Sequence, residues 1–300
     1  MTRRVVLVTG ATGLIGWPTM PQFSALGFQV IGLARHGMPG CIAADLLDPA
    51  RVRAVLAEVR PTHILHLAWD VTPGHFTHGP ENLDYVAATM GLARAAAAAG
   101  VQRFVGVGTC AEYDWRDGGA KPRREHDPTV PQTIYGIAKH ATHLLIEAFF
   151  RNEGISFAWA RPFFLFGPGE SPSRLVAAVI EALRHERIFV CRHGQLVRDY
   201  MATVDASAAL ARLVSSDVAG PVNVGSGEAI SLGELVQFVA ERLGRNGLVD
   251  VREEPADGQP LAMLADVARL RDEVGFTPGA SVRERLAALV ADLAGEMADH

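Results

Sequence analysis

The N-terminal segment leaves the rest of the chain little freedom in how it folds. Val5-Val6-Leu7-Val8 is apolar throughout, and TGATGLIG, residues 9–16, then sets Gly10, Gly13 and Gly16 three apart. So flexible a backbone directly after a buried strand has a physical use. In a strand–turn–helix unit the first glycine permits a tight turn. The second lets main chain approach a pyrophosphate, and the third lets the helix pack close to the sheet. The helix N-terminus then offers free N–H groups and a partial positive charge to phosphate. The spacing G-x-x-G-x-x-G departs from the usual G-x-G-x-x-G. A glycine-rich turn that binds nothing is the competing reading, and position decides against it.

That position is the start of an alternating pattern. Apolar runs at 5–9, 28–35, 62–69, 101–109 and 155–162 read as strands, with a further short strand in CIAADLLD. Helical periodicity covers about 13–26, RVRAVLAEV after Asp48, 81–99 closing on Gly100, and 133–152. Val-, Ile- and Leu-rich strands alternating with helices predict βαβ units, hence an α/β fold with a Rossmann-type doubly wound parallel sheet. After Pro162 the rhythm changes. FFLFGPGESPSR is loop-rich, a helix comes next at 175–185, and IFVCRHGQLVRDYMATVDA reads as a hairpin and its exit. Helices near 231–244 and 281–294 close the chain. We expect a dinucleotide-binding domain over 1–165 with a return near 198–222. A smaller C-terminal α/β substrate-binding domain is expected from 166–197 and 223–300.

Composition excludes several classes. The chain has 300 residues, 49% hydrophobic and 20% charged, with net charge −5, and its densest basic spot, Lys121-Pro122-Arg123-Arg124, is interrupted by Pro122 and bordered by Glu125 and Asp127. No nucleic-acid partner is expected. No run approaches the roughly 18 uncharged apolar residues of a membrane span, and MTRRVVLVTG lacks a signal-peptide pattern. Cys41, Cys110 and Cys191 are odd in number and far apart, arguing against a disulfide framework or zinc site. His63, His66, His75 and His78 show no ligand pattern, so no metal is expected. The expectation is a cytoplasmic protein.

Three further features carry chemistry. The second strand ends Leu33-Ala34-Arg35, with no carboxylate to repel a ribose 2′-phosphate. Arg35 can pair with that phosphate, so NADP(H) is preferred, with NAD(H) as the alternative; a solvent-facing arginine is the competing reading. Asp45 either accepts a bond from the adenine amino group or caps the next helix. Tyr135 and Lys139 stand at i and i+4 on one helix face. An ammonium near a phenol favours the phenolate and lowers its pKa, suiting Tyr135 to exchange a proton with a carbonyl oxygen as hydride moves. Thr109 ends a strand where open α/β sheets bind ligands. Its hydroxyl would hold the substrate carbonyl, or merely cap the adjoining turn.

Together these resemble the extended short-chain dehydrogenase/reductase family, in particular its nucleotide-sugar epimerases, dehydratases and reductases. The resemblance rests on TGATGLIG (9–16), HLAW (66–69), Asn82 in ENLDYVAATM, GTCAEY (108–113), YGIAK (135–139), RPFFLFGPGE (161–170), RDYMATVDAS (198–207) and NVGSGE (223–228). It implies that Gly10, Gly13 and Gly16 form the phosphate loop, with Leu14 and Ile15 donating backbone N–H. Asp45 and Leu46 would flank adenine, and Ala68 would line the cofactor channel. Tyr135 would be the acid/base, Lys139 would hold the nicotinamide ribose, and Thr109 would complete the triad. Arg198 would contact the nucleotide of the substrate, unless it is a structural arginine paired with Asp199. His66 is left structural. Helices over 83–99 and 134–150 would build a homodimer. Dehydratases of this group place Asp-Glu directly after the triad threonine, whereas Cys110-Ala111 stand there in this chain, disfavouring water elimination. The expectation is an NADPH-dependent ketoreductase of a nucleoside-diphosphate keto-deoxy sugar. The alternatives are a sugar-nucleotide epimerase and a reductase of a non-sugar carbonyl.

Overall fold

The computed structural model describes residues 4–256 and 258–295, so the outermost residues of both expected domains lie outside it. The first half runs β1 (Val5–Thr9), α1 (Gly16–Ala25), β2 (Gln29–Ala34), β3 (Cys41–Ala43), α2 (Pro49–Val59), β4 (His63–His66), α3 (Glu81–Ala98), β5 (Arg103–Val107), α4 (Ile134–Glu153) and β6 (Ser156–Pro162). The second half runs β7 (Phe164–Phe166), α5 (Leu175–Arg184), β8 (Phe189–Cys191), β9 (Val197–Ala202), α6 (Thr203–Ser215), β10 (Gly220–Val224), β11 (Ala229–Ser231), α7 (Leu232–Arg242), β12 (Val249–Val251), β13 (Ala262–Met263), α8 (Ala268–Asp272) and α9 (Val282–Gly295).

Seven strands form one sheet in the order β10-β6-β5-β4-β1-β2-β3, and every pairing in it is parallel. The order reverses beside β1, the arrangement that opens a crevice at the carboxyl ends of the strands. Side-chain alternation explains why both faces are covered. Val6 and Val8 face one core with Phe23 of α1 and Leu210 of α6. Leu7 faces the other with Val55 of α2, Leu92 of α3 and Ile146 of α4. Each buried aliphatic side chain contributes roughly 1.5–3 kcal/mol of transfer free energy, so a strand apolar on both faces is stable only between two helical layers. A third cluster joins α5, α7 and α9 around Tyr200 and Ile230.

Some boundaries differ from the sequence expectation. α1 begins at Gly16 rather than Gly13, because residues 10–15 form the loop itself. β4 stops at His66, and Leu67 and Ala68 turn their N–H groups to the Thr9 hydroxyl, each at 3.2 Å. The hairpin expected over 188–206 is not formed. β8 pairs with β12, and β9 with β7, β11 and β13. The intervening Gly194 bonds to Arg252 (2.7 Å) and Gly233 (3.0 Å), so distant backbone captures the would-be turn.

Strand β5 carries a steric signature. A Cβ on Gly106 would lie 2.4 Å from the Trp159 ring, which is fully buried across the strand. Gly106→Ala is therefore expected to destabilise the chain by about 1–3 kcal/mol, as overpacking does. A lowered urea midpoint at unchanged slope checks this; an unchanged midpoint refutes it.

Candidate active site

The loop after β1 is built by close approach. Gly10 has φ +67°, and a Cβ there would meet Ala68 N at 2.8 Å; one on Gly16 would lie 2.2 Å from Gly10 O. The Ile15 carbonyl accepts hydroxyls from Thr19 (2.6 Å) and Ser207 (3.1 Å), tying the loop to α6. Ile15, at the N-cap of α1, supplies no side-chain cap and the first turn has no acidic residue. Trp17 N–H is taken by Gly13 O at 3.1 Å and Pro18 has no N–H, so the amides of Leu14, Ile15 and Gly16 are the ones left for an anion, and the cradle fits a dinucleotide pyrophosphate.

From this loop a cavity of about 580 Å³ runs along the carboxyl edge of the sheet. Its lining includes Gly10, Gly13, Leu14, Ile15, Gly16, Arg35, Asp45, Leu46, Ala68, Thr109, Tyr135 and Lys139, which are all but one of the residues the sequence singled out. Arg35 is exposed at one end. Hydrogen bonds from Thr72, helped by the nearby Arg35 charge, hold the Asp70 carboxyl below its ordinary value. Asp45 does not cap α2. Asp48 does so, accepting Ala50 and Arg51 N–H at 3.0 Å, while Asp45 accepts only Leu47 N–H and remains at the cavity.

The other end is set by α4. Thr133 caps the helix by accepting Gly136 N–H at 3.1 Å, and a Cβ on Gly136 would press within 2.8 Å of Ala111 O. This contact holds Tyr135 against the loop that carries Thr109. The Tyr135 ring also meets Phe76 edge-on at 4.9 Å, and its backbone N–H donates to Thr77 O at 3.1 Å. Lys139, one turn on, is buried; Nζ donates to Val107 O at 2.7 Å and lies 3.8 Å from the centre of the Trp69 ring.

The electrostatics correct one expectation. Burial raises the Tyr135 pKa, and the Thr109 side chain opposes that rise only partly. Lys139 does not acidify the phenol as the i, i+4 spacing suggested. Its own pKa falls to about 7, because burial disfavours the ammonium more than the Glu112 charge favours it. His66 is likewise held neutral, lowered to about 3 by burial and by Lys139, and its ring bridges Thr9 (2.7 Å) and Thr89 (2.9 Å).

Arg198 is the exception among the expected residues. It is buried outside the cavity lining, with Nη1 donating to the carbonyls of Val197 (2.8 Å), Pro260 (3.1 Å) and Leu261 (3.2 Å). Nor is it paired with Asp199, whose carboxylate accepts from Ser226 and Gly227 instead. Sequence reasoning passed over Trp69, Phe76, Phe163, Phe164, Arg174 and Met263, which also line the cavity. Trp69, Phe163 and Phe164 stand in HLAW and RPFFLFGPGE, so motif position was a signal for these three; Phe76, Arg174 and Met263 stand in no such motif. Glu112, His140 and His143 bring ligand-type atoms within 4.8 Å of one another. Arg161 Nε already bonds the Glu112 carboxylate at 3.0 Å, so a cation there would meet a like charge.

The lysine shift has a thermodynamic sign. Between about pH 7 and the ordinary lysine value of 10.5, the unfolded chain holds a proton at Lys139 that the folded chain lacks. Stability contributed by this group therefore rises with pH across that window and is flat below it. Thermal unfolding of the cofactor-free chain should show a smaller gain between neutral and alkaline pH in Lys139→Met than in wild type. Equal gains would refute the assignment.

The chain resembles known proteins along its length. Residues 6–225 match the model of the NAD dependent epimerase/dehydratase family. A dTDP-6-deoxy-L-talose 4-dehydrogenase (NAD(P)(+)) of Kitasatospora kifunensis is 30% identical over 93% of this chain and 92% of its own. A UDP-glucose 4-epimerase of Rhizobium meliloti is 27% identical over 93% of each. Among solved structures, MoeE5 in complex with UDP-glucose and NAD superposes with a TM-score of 0.82 at 28% identity, covering 97% of this chain and 99% of that one. The UDP-glucose 4-epimerase of Thermotoga maritima shares the fold, with a TM-score of 0.86 at 22% identity over 98% and 99%. A phosphate cradle after the first strand, a Tyr135/Lys139 pair on α4 and a match spanning more than two thirds of the sequence lead to one conclusion: the chain belongs to the NAD dependent epimerase/dehydratase family and is an NAD(P)-dependent enzyme of the extended short-chain dehydrogenase/reductase type.

Proposed function

We propose that the chain is an NADPH-dependent ketoreductase acting on a nucleoside-diphosphate keto-deoxy sugar. The observation that carries this reading is that Thr109 and Tyr135 line one cavity with the phosphate cradle. The bound nicotinamide would supply the hydride. Thr109 and Tyr135 would bond the keto oxygen, and Tyr135 would deliver its proton there. The Tyr135 phenol, whose pKa burial raises further above neutral, is protonated at neutral pH, the form a reductase needs in its acid. Lys139 would face the nicotinamide ribose. Gly10, Gly13, Leu14, Ile15 and Gly16 would hold the pyrophosphate, Asp45, Leu46 and Ala68 the adenosine side, and Arg35 a 2′-phosphate. The sugar nucleotide would lie between the sheet edge and the segments 166–197 and 223–300, with Arg198 bracing the backbone at 260–261 rather than touching substrate.

Two observations favour reduction over elimination or epimerisation. Cys110 and Ala111 stand where elimination would need carboxylates, and burial pushes the Cys110 thiol up to about 12, making it inert. Arg35 stands where an acidic residue would favour NAD. The second reading, an epimerase, is favoured by the UDP-glucose 4-epimerase relative. We further propose a cytoplasmic homodimer. The three described cysteines are free, and no helix among the described residues is long and apolar enough to cross a membrane. Leu83 on α3 and Ile137, Leu144 and Leu145 on α4 are all more than half exposed. Leu145→Glu is expected to yield a monomer in sedimentation; an unchanged dimer excludes this interface.

A panel separates the readings: a dTDP-linked 4-keto-6-deoxyhexose with NADPH, UDP-glucose with NAD, and a non-sugar ketone with NADPH. Stoichiometric NADPH oxidation with the first alone is the expected result. Interconversion of UDP-glucose without net cofactor change establishes the epimerase, and turnover of the ketone alone removes the nucleotide. Tyr135→Phe should lower turnover by about 10²–10⁴-fold with cofactor affinity retained. Arg35→Ser should weaken NADP binding about tenfold or more while sparing NAD, since a charge-assisted bond is worth about 1.5–3 kcal/mol. Equal calorimetric losses for both cofactors would refute the role of Arg35.

A further inference from the structure

Beneath Thr109 lies a carboxylate that the proposed chemistry does not use. Glu112 is fully buried, and the groups that bond it are all donors. Its Oε1 accepts the Thr109 backbone N–H and the Trp159 indole N–H, both at 2.9 Å. Its Oε2 accepts Arg161 Nε at 3.0 Å, with His140 Nδ1 at 3.8 Å. Arg161 is itself buried and passes Nη1 to the Tyr113 hydroxyl (3.2 Å) and Glu125 O (3.1 Å). Capping a three-residue 3₁₀ turn does not require this. A capping box needs only the reciprocal side-chain and backbone bonds, and a buried carboxylate is costly unless its lone pairs are filled. The strand also makes room for it. A Cβ on Gly108 would lie 2.1 Å from Glu112 Oε1 and 2.2 Å from Trp159 Nε1.

The result falls on Thr109. Its N–H is taken by Glu112, its hydroxyl accepts Ala111 N–H at 3.2 Å, and its backbone is extended at φ −162°, ψ 152°. Both ends of the residue are thereby fixed, and it lines the same cavity as Tyr135. We infer that Glu112 is a positioning residue: with Trp159 and Gly108, it sets the Thr109 hydroxyl at the reacting carbonyl without touching substrate. This rests on the proposed role of Thr109 and Tyr135 in bonding the keto oxygen.

Two variants disturb the arrangement differently. Glu112→Gln keeps the volume but turns an N–H toward groups that only donate. Gly108→Ala keeps the charge and displaces the carboxylate. Each should lower kcat by about tenfold to a hundredfold, the scale of a small misplacement at a reacting centre, with KM and cofactor affinity unchanged, on whichever panel substrate the wild type turns over. In a Thr109→Ala background neither should lower kcat further, because there is then no hydroxyl to misplace. A merely structural role would move unfolding midpoints and leave the losses additive. If Glu112→Gln does not fold, Gly108→Ala carries the test alone. Full kcat in a folded Gly108→Ala, or additive losses with Thr109→Ala, overturns the inference while leaving the proposed function standing. Full activity of Thr109→Ala, or no turnover of any panel member, instead removes the reading beneath it.

Discussion

The contact between the Gly10 carbonyl and the α carbon of Gly16 governs much of this molecule. There is no room for a side chain between them. Because main chain meets main chain, α1 begins close to the end of β1 and its amides face the phosphate cradle. Because β1 is central in a parallel sheet, every neighbouring strand ends at the same edge. The cradle, Thr109 and the start of α4 are therefore gathered on one side. Covalent connectivity alone would leave Gly10 and Tyr135 far apart; the parallel topology makes them walls of one cavity.

The parts of the fold legible in the sequence are those whose information is local. Val5 to Thr9 announces a strand buried on both faces, and Glu81 to Gly100 a long helix closed by a glycine that takes φ +75°. The failed hairpin was not local. β8 has three residues and finds its partner β12 some sixty positions later, where nothing in the intervening turn signals the pairing. The site divides in the same way. The i, i+4 spacing of Tyr135 and Lys139 is a property of a helix and was readable. Their proton affinities are not, because desolvation depends on what packs over them, and it outweighs the mutual effect that spacing suggests. Arg198 was readable as a motif position but not as a brace for residues 260–261, since those carbonyls come from a distant loop. Glu112 lies in GTCAEY, a stretch singled out for Thr109 and not for its carboxylate, and burial is what distinguishes that carboxylate.

The interior around β5 and β6 is more polar than the cores on either side of β1. Arg103, in β5, is buried, and its guanidinium satisfies Ser156 Oγ and the carbonyls of Leu213 and Val218 at 2.7–2.8 Å. Glu112 with Arg161, and Asn223 with Tyr113 and Glu125, continue this pattern toward the carboxyl edge. Buried polar groups are tolerated when partnered and costly when one partner is lost. This layer therefore resists sliding of β5, β6 and β10 against one another more than apolar packing would. It lies next to the residues whose placement chemistry would demand most.

Lys139 Nζ lies over the face of the Trp69 ring, and Trp69 donates its indole N–H to Asn82 Oδ1 at 2.8 Å, while Asn82 Nδ2 donates to the carbonyls of Phe76 and Gly79. The lysine is thus upholstered by an aromatic that is itself tethered to the first turn of α3. Any ribose that reaches the ammonium has to unseat the indole or share the space with it. Unseating forfeits one hydrogen bond of about 0.5–1.5 kcal/mol and a cation–π contact of comparable size. If Lys139 holds the ribose as proposed, the dinucleotide gains less at its nicotinamide end than at its pyrophosphate end, and the bond to Asn82 makes that difference a property of α3 as much as of the cavity wall.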